Sequence, residues 1–188
     1  MSFVVAIDGP AGSGKGTITK LVGAKEGLIN IDTGAMYRCV TLNMINEKIG
    51  LEETEKIKEL LQKIKIEFKT ENEQDKVYLN GEDVTKQIRE KAVNEKVSQV
   101  SHLIEVRENI TNLSRNVAEG KKVIMEGRDI GTNVFPNADI KIYLDATPEE
   151  RANRRMKQNE EKGITATYEE VLENIKFRDN NDKTSKVA

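Results

Sequence analysis

Nine residues near the start do most to limit what this chain can fold into: Gly9-Pro10-Ala11-Gly12-Ser13-Gly14-Lys15-Gly16-Thr17. They follow a short β-rich run, Phe3 to Asp8, and lead directly into Lys15 to Ala24, where Ile18, Leu21 and Val22 recur at helical spacing. A strand, a tight glycine turn and a helix, with Gly9-x4-Gly14-Lys15 at the joint, form a phosphate-binding loop in the setting that makes the motif credible. The glycines let successive backbone N–H groups turn inward, and the helix N-terminus adds its partial positive charge. Gly9, Gly12, Ser13, Gly14, Lys15, Gly16 and Thr17 are therefore the candidate phosphate ligands, with Lys15 placed to reach the β and γ phosphates of a nucleotide. The residue after the lysine is Gly16 where the motif usually carries a hydroxyl, and Thr17 follows one place later, so no metal ligand is assigned.

Beyond the loop the β-α alternation continues. Leu28 to Asp32 reads as a second strand, and Ala35 to Ile49 as an amphipathic helix with Met36, Val40, Met44 and Ile45 on one stripe. Glu52 to Ile64 is a further helix. Ile64 to Phe68 and Lys76 to Leu79 then alternate apolar and polar around the tip Thr70 to Asp75, which predicts a small exposed hairpin, and Leu79-Asn80-Gly81-Glu82 marks a turn. Glu90 to Glu119 predicts two helices broken near His102 to Glu105. Two more strand-like runs follow, Lys122 to Glu126 and Ile140 to Asp145, then a helix from Thr147 to Lys162 and a last one from Tyr168 to Asn180. Thr147-Pro148-Glu149-Glu150 carries threonine at the N-cap, proline at N1 and glutamate at N3. Short apolar strands separated by helices predict the α/β class, a parallel sheet flanked by helices.

Composition removes several functions. Lys and Arg number 30 against 32 Asp and Glu, for a net charge of -2, which is not the basic footprint of a nucleic-acid binder. No apolar run approaches the ~18 residues of a membrane span, and the first residues have neither a basic segment nor a cleavage site, so the expected location is the cytoplasm. The single cysteine, Cys39, can build neither a disulfide framework nor a thiolate metal site alone and reads as a core residue. His102, the only histidine, falls at the interhelical break and reads as structural. The loop by itself indicates a nucleotide, not a reaction. A GTPase would need Asn-Lys-x-Asp, which is absent, and the chain is too short for a large ATPase motor, which leaves a small kinase.

Four blocks make the reading more specific: Ile7 to Lys15, Asp32-Thr33-Gly34-Ala35-Met36-Tyr37-Arg38, Leu79 to Thr85, and Gly127-Arg128-Asp129-Ile130-Gly131-Thr132. In this order, and over residues 3 to about 182, the chain resembles the bacterial cytidylate kinases. The resemblance implies a P-loop kinase that passes the γ-phosphoryl of ATP to CMP or dCMP with magnesium, as a monomer at full length. It implies a core of 1–63 and 118–188 with a lid at about 147–165, a monophosphate-binding insertion at 64–117, and strand order 2-3-1-4. It further implies that Arg38 and Arg128 hold the acceptor's phosphate with Thr33 nearby, and that Ser98, Arg107 and Asp129 read the cytosine edge. Arg178 would meet phosphate and Asp182 the ribose hydroxyls. Cytosine offers an exocyclic amine donor and ring acceptors, so a carboxylate and a cation suit it.

Arg151, Arg154 and Arg155 stand at i, i+3 and i+4, close together on one helix face in a chain whose basic residues are mostly lysine. The resemblance places them in the lid, so Lys15, Arg128, Arg151 and Arg155 are the candidate catalytic charges. Two departures limit the likeness: Ser185 stands where the family often has arginine, and the family continues past Ala188 into a further strand and helix, which would leave Ile140 to Leu144 as a bare sheet edge. Two rival readings are another small-molecule kinase of the same fold and a nucleotide-binding fragment without turnover.

Overall fold

The computed structural model describes residues 2–71, 74–161 and 163–184; Ser185 lies outside them. The chain divides into two compact units, one formed by residues 1–29 with 120–188 and the other by 30–119.

The first unit is built on β1 (Phe3–Asp8). Val4 to Asp8 are all buried: β1 is paired on both edges, and its side chains on either face are shielded from water. On one side it runs parallel to β6 (Lys122–Gly127), from Phe3 opposite Lys122 to Asp8 opposite Gly127. On the other it runs parallel to β7 (Ile140–Tyr143), from Val5 opposite Ile140 to Asp8 opposite Tyr143. With β2 (Ile29–Asp32) the sheet order is β2-β6-β1-β7, the 2-3-1-4 order expected. Val5, Ile7 and Ile124 form its core with Phe3, Val22, Leu28 and Leu144 packed against them. β7 is the outer strand, and Ile140, Ile142 and Tyr143 on it are exposed.

Helix α1 (Lys15–Glu26) leaves the phosphate loop and stops at Gly27, whose φ of 65° and bond from its N–H to Gly23 O close the last turn. Helix α6 (Pro148–Glu161) begins with the expected reciprocal cap: Thr147 N donates to Glu150 Oε2 at 3.1 Å and Glu150 N to Thr147 Oγ1 at 3.2 Å. Thr167 and Glu170 repeat the device at the start of α7 (Tyr168–Thr184), a second signature the sequence reading passed over. Ala152, Val171 and Ile175 are the buried seam between α6 and α7.

The second unit holds α2 (Thr33–Asn46), α3 (Thr54–Lys63), a hairpin of β3 (Ile66–Glu71) and β4 (Gln74–Leu79) with a short β5 (Glu82–Asp83), then α4 (Lys91–Val100) and α5 (Ile104–Ala118). Apolar residues at helical spacing face inward: Met36, Cys39 and Val40 on α2, Ile57, Leu60 and Leu61 on α3, Val93, Val97 and Val100 on α4, Val106 and Ile110 on α5. Cys39 is fully buried, as expected. The hairpin ladder runs further into the polar tip than the alternation suggests, pairing Thr70 with Asp75 and Glu71 with Gln74. Polar contacts account for the extension: the Tyr78 hydroxyl donates to Glu71 at 2.9 Å, and Lys76 pairs with Glu71 and Asp83.

Candidate active site

The phosphate loop has the backbone its glycines anticipate. Gly12 and Gly14 sit at φ 79° and 101°, in the left-handed region where a side chain is strained. Gly9 is constrained more tightly: at φ 146°, a β-carbon there would stand 2.0 Å from the Leu144 carbonyl oxygen, so only glycine allows β7 and the loop to pass. Lys15 Nζ lies inside the curl, donating to Gly9 O at 2.6 Å and Pro10 O at 2.8 Å, and the residue is only 5% exposed. The Ser13 hydroxyl is buried without a hydrogen-bond partner, while Thr17 on the first turn of α1 is exposed. The unusual Gly16 has a local cause. A β-carbon there would meet Glu126 Oε1 at 3.1 Å, so glycine leaves room for the carboxylate at the end of β6, which also accepts from Thr19 Oγ1 at 3.4 Å.

Arginines grip the loop's carbonyl oxygens from outside. Arg128 donates from NH1 to Gly9 O at 3.0 Å and from Nε to Asp182 Oδ2 at 2.8 Å. Arg154 donates to Ser13 O at 2.9 Å. Arg151 is 3% exposed and has four of its five N–H groups engaged: Nε on Ala146 O, NH1 on both Ala11 O and Asp179 Oδ1, and NH2 on Asp179 Oδ2 at 2.5 Å. Its bond to Asp179 raises its pKa further, so it stays charged. Arg155 is exposed.

Burial pushes the Arg178 guanidinium below the usual arginine range, and the positive charges of Arg128 and Arg155 push it the same way against the opposing pull of Asp182. A buried guanidinium that two neighbouring cations disfavour makes a place where an anion is stabilised on arrival. Asp129, next to Arg128 in the chain, is buried, its carboxylate accepting from Asn133 Nδ2 at 3.2 Å. An open pocket of about 800 Å³ is lined by Asp8, Gly9, Pro10, Arg128, Arg151, Asp179 and Asp182 among others, which joins the loop to Arg128 and Asp182 in a single surface.

The second unit arranges the remaining candidates. Asp32 caps α2 by accepting from Ala35 N at 3.1 Å, and Thr33 is buried at the first position of that helix. One turn on, Arg38 donates to Asn94 Oδ1 at 2.5 Å and to Ile88 O at 3.3 Å, and Asn94 in turn donates to Arg89 O at 2.7 Å. Ser98 and Arg107 meet the bend between α4 and α5. Ser101 Oγ donates to Ser98 O, Arg107 NH1 donates to Ser101 O, and His102 Nδ1 also bonds Ser98 O. Asp8, Asn94 and Asp179 were not singled out from sequence, although each holds a candidate residue or the segment that carries it.

Residues 5–188 match the family model described as cytidylate kinase. The chain belongs to the cytidylate kinase family. The cytidylate kinase of Fusobacterium nucleatum subsp. nucleatum is 48% identical over 185 residues, which span 98% of this chain and 83% of the relative. That of Caldicellulosiruptor saccharolyticus is 49% identical over 184 residues, 98% of this chain and 81% of the relative. That of Bacillus subtilis is 44% identical over 184 residues, 98% and 82%. Among the described residues no helix is long and apolar enough to cross a membrane.

Proposed function

We propose that this chain transfers the γ-phosphoryl group of ATP to CMP, giving ADP and CDP, and accepts dCMP as well. The observation that carries the reading is Arg128, which is expected to bind the acceptor's phosphate and which donates to the carbonyl of Gly9, the first residue of the donor-phosphate loop. An acceptor phosphate bound to that guanidinium lies beside the phosphates cradled by Gly9, Gly12, Ser13, Gly14, Lys15, Gly16 and Thr17. Phosphoryl transfer asks little covalent chemistry of a protein; it asks for alignment and for positive charge where negative charge spreads.

Lys15 supplies that charge at the donor, and Arg128, Arg155 and Arg178 supply it at the acceptor side. Arg151, with four donors already engaged, fixes the loop at Ala11 and leaves the transferring group to its neighbours. By likeness to the family, Thr33 and Arg38 serve the acceptor's phosphate, Ser98, Arg107 and Asp129 the cytosine, and Asp182 the ribose.

Among the described residues, no three His, Cys, Asp or Glu side chains gather as a metal site. That suits magnesium, which keeps its waters and enters on phosphate oxygens with one or two protein oxygens. The exposed Thr17 hydroxyl and the Glu126 carboxylate are the donors offered. When bound, the ion offsets charge on the β and γ phosphates.

A coupled ADP-release assay tests the reading. Lys15→Ala should lower turnover by ~10³ or more at little cost to the fold. CMP should exceed AMP and GMP by ~10⁴ in kcat/KM, because a wrong base leaves buried polar groups unpaired. Equal rates with AMP and CMP would refute it.

A further inference from the structure

We infer that the Asp8 carboxylate is a positioning residue for acceptor selectivity: it fixes the three-residue segment Gly127-Arg128-Asp129. The inference rests on the reading in which Asp129 recognises cytosine. β1 ends at Asp8, a residue only 8% exposed at the tip of a strand buried from Val4 onward. Such a charge is costly there unless it is hydrogen-bonded. Both of its oxygens are bonded: Ile130 N donates to Oδ1 at 2.7 Å and Gly131 N to Oδ2 at 2.8 Å, each bond buried. Two successive backbone N–H groups converging on one carboxylate form a fixed anion nest at the start of the π-helical turn Ile130–Val134.

The same residue holds the other end of the segment. Asp8 is the register partner of Gly127, where β6 stops. Only Arg128 and Asp129 lie between the backbone anchor at Gly127 and the side-chain anchor at Ile130, so both are suspended from Asp8. The turn beyond is closed by Asn133 N and Val134 N donating to the Asp129 carbonyl at 2.9 and 3.1 Å. Gly131 is part of the device, because a β-carbon on it would approach Asp8 Oδ2 to 3.3 Å and the Lys141 side chain to 3.2 Å. Immediately after Asp8 comes Gly9, whose carbonyl accepts from Arg128. One residue thus ties the base-reading segment to the donor loop. An uncharged side chain could end β1 equally well, but it would not present a separate acceptor oxygen to each of the two adjacent N–H groups.

Asp8→Asn tests this, since the amide can accept from one N–H and must turn its own N–H₂ toward the other. We expect KM for CMP to rise ~10- to 100-fold, the scale of a misplaced binding group. The CMP to UMP ratio in kcat/KM should fall about tenfold, with KM for ATP changed less than about threefold. Gly131→Ala, a milder push on the same bond, should shift the same two quantities in the same direction, and decides alone if Asp8→Asn does not fold. Asp129→Asn in the same assay is the reference. If it leaves the CMP to UMP ratio intact, the base-reading role is wrong and the inference falls with it. If it collapses the ratio while Asp8→Asn and Gly131→Ala keep both the ratio and KM for CMP within about twofold, only the positioning role of Asp8 is overturned. Equal losses toward ATP and CMP would likewise overturn it, as the mark of a general packing defect.

Discussion

Replacing Asp179 with alanine isolates a buried charge pair in the first unit. The side chains of Arg151 and Asp179 are 3% and 17% exposed, with NH2 and Oδ2 2.5 Å apart. Losing the carboxylate leaves a guanidinium out of water, still bonded to the Ala146 and Ala11 carbonyls but with no counter-charge from its partner. Breaking a buried pair in this one-sided way costs about 3–5 kcal/mol. An unfolding entropy of ~2.1 cal/mol/K per residue gives ~0.4 kcal/mol/K for a chain of this length, so the melting temperature should fall by roughly 8–13 °C. The double variant Arg151→Met with Asp179→Leu removes both desolvated charges and leaves only two carbonyls short of a donor, at ~1 kcal/mol each, so it should regain about half of the loss. Because the pair is shielded from solvent, added salt should change the difference little. Calorimetry of unliganded wild type, single and double variants at one protein concentration measures all three. A single variant melting within about 3 °C of wild type, or a double variant less stable than the single, would refute the assignment of a buried, mutually dependent pair.

Gly9→Ala must move backbone, since the added carbon meets Leu144 O at 2.0 Å; the variant should lose ~10² or more in kcat/KM for ATP, whereas Gly27→Ala, with nothing within 4 Å, pays only left-handed strain of ~1–2 kcal/mol and keeps its activity. Comparing the two in the ADP-release assay checks whether contact or conformation governs the loop. Burial, with a smaller contribution from the charge of Asp32, pushes the Cys39 thiol from an ordinary 9.0 to about 12. Above pH 9 the unfolded chain therefore binds fewer protons than the folded one, and this contribution to stability declines as pH rises, by ~1.4 kcal/mol per unit until about pH 12. Urea unfolding at pH 8 and 10 should show a steeper decline for wild type than for Cys39→Ala; parallel declines, or a native thiol titrating near 9, would contradict the burial.

The elements legible in the sequence were those whose signal is local. The phosphate loop announces itself in nine consecutive residues, the break between α4 and α5 falls where the helical period lapses, and Thr147 with Glu150 spells its own cap. Partnerships were not legible, because they join residues with no local relation. Asp8 meets Ile130 and Gly131 across more than a hundred positions, and Arg151 meets Asp179 across 28. Arginines can be counted from the chain, but burial and partners decide which remain available: Arg155 is exposed while Arg151, four residues earlier on the same helix, is enclosed. The reason for Gly16 was likewise out of reach, since Glu126 reaches it from β6, 110 positions along the chain.

The register of β1 also bears on how the protein is made. Phe3 pairs with Lys122 and Val5 with Ile140, so β1 leaves the ribosome with both of its neighbours more than a hundred residues downstream. At ~5–20 residues per second, Val4-Val5-Ala6-Ile7 waits on the order of ten seconds with its hydrogen-bonding groups and apolar side chains uncovered. Residues 30–119, a compact unit from one continuous stretch, can condense during that interval. The contacts that Leu144, Arg151 and Arg154 make with the glycine loop form only once those residues have emerged, more than a hundred positions after the loop itself. Partners so distant in sequence must also close large loops before any contact rewards them, which makes refolding from denaturant slow and leaves β1 the segment most exposed to mispairing.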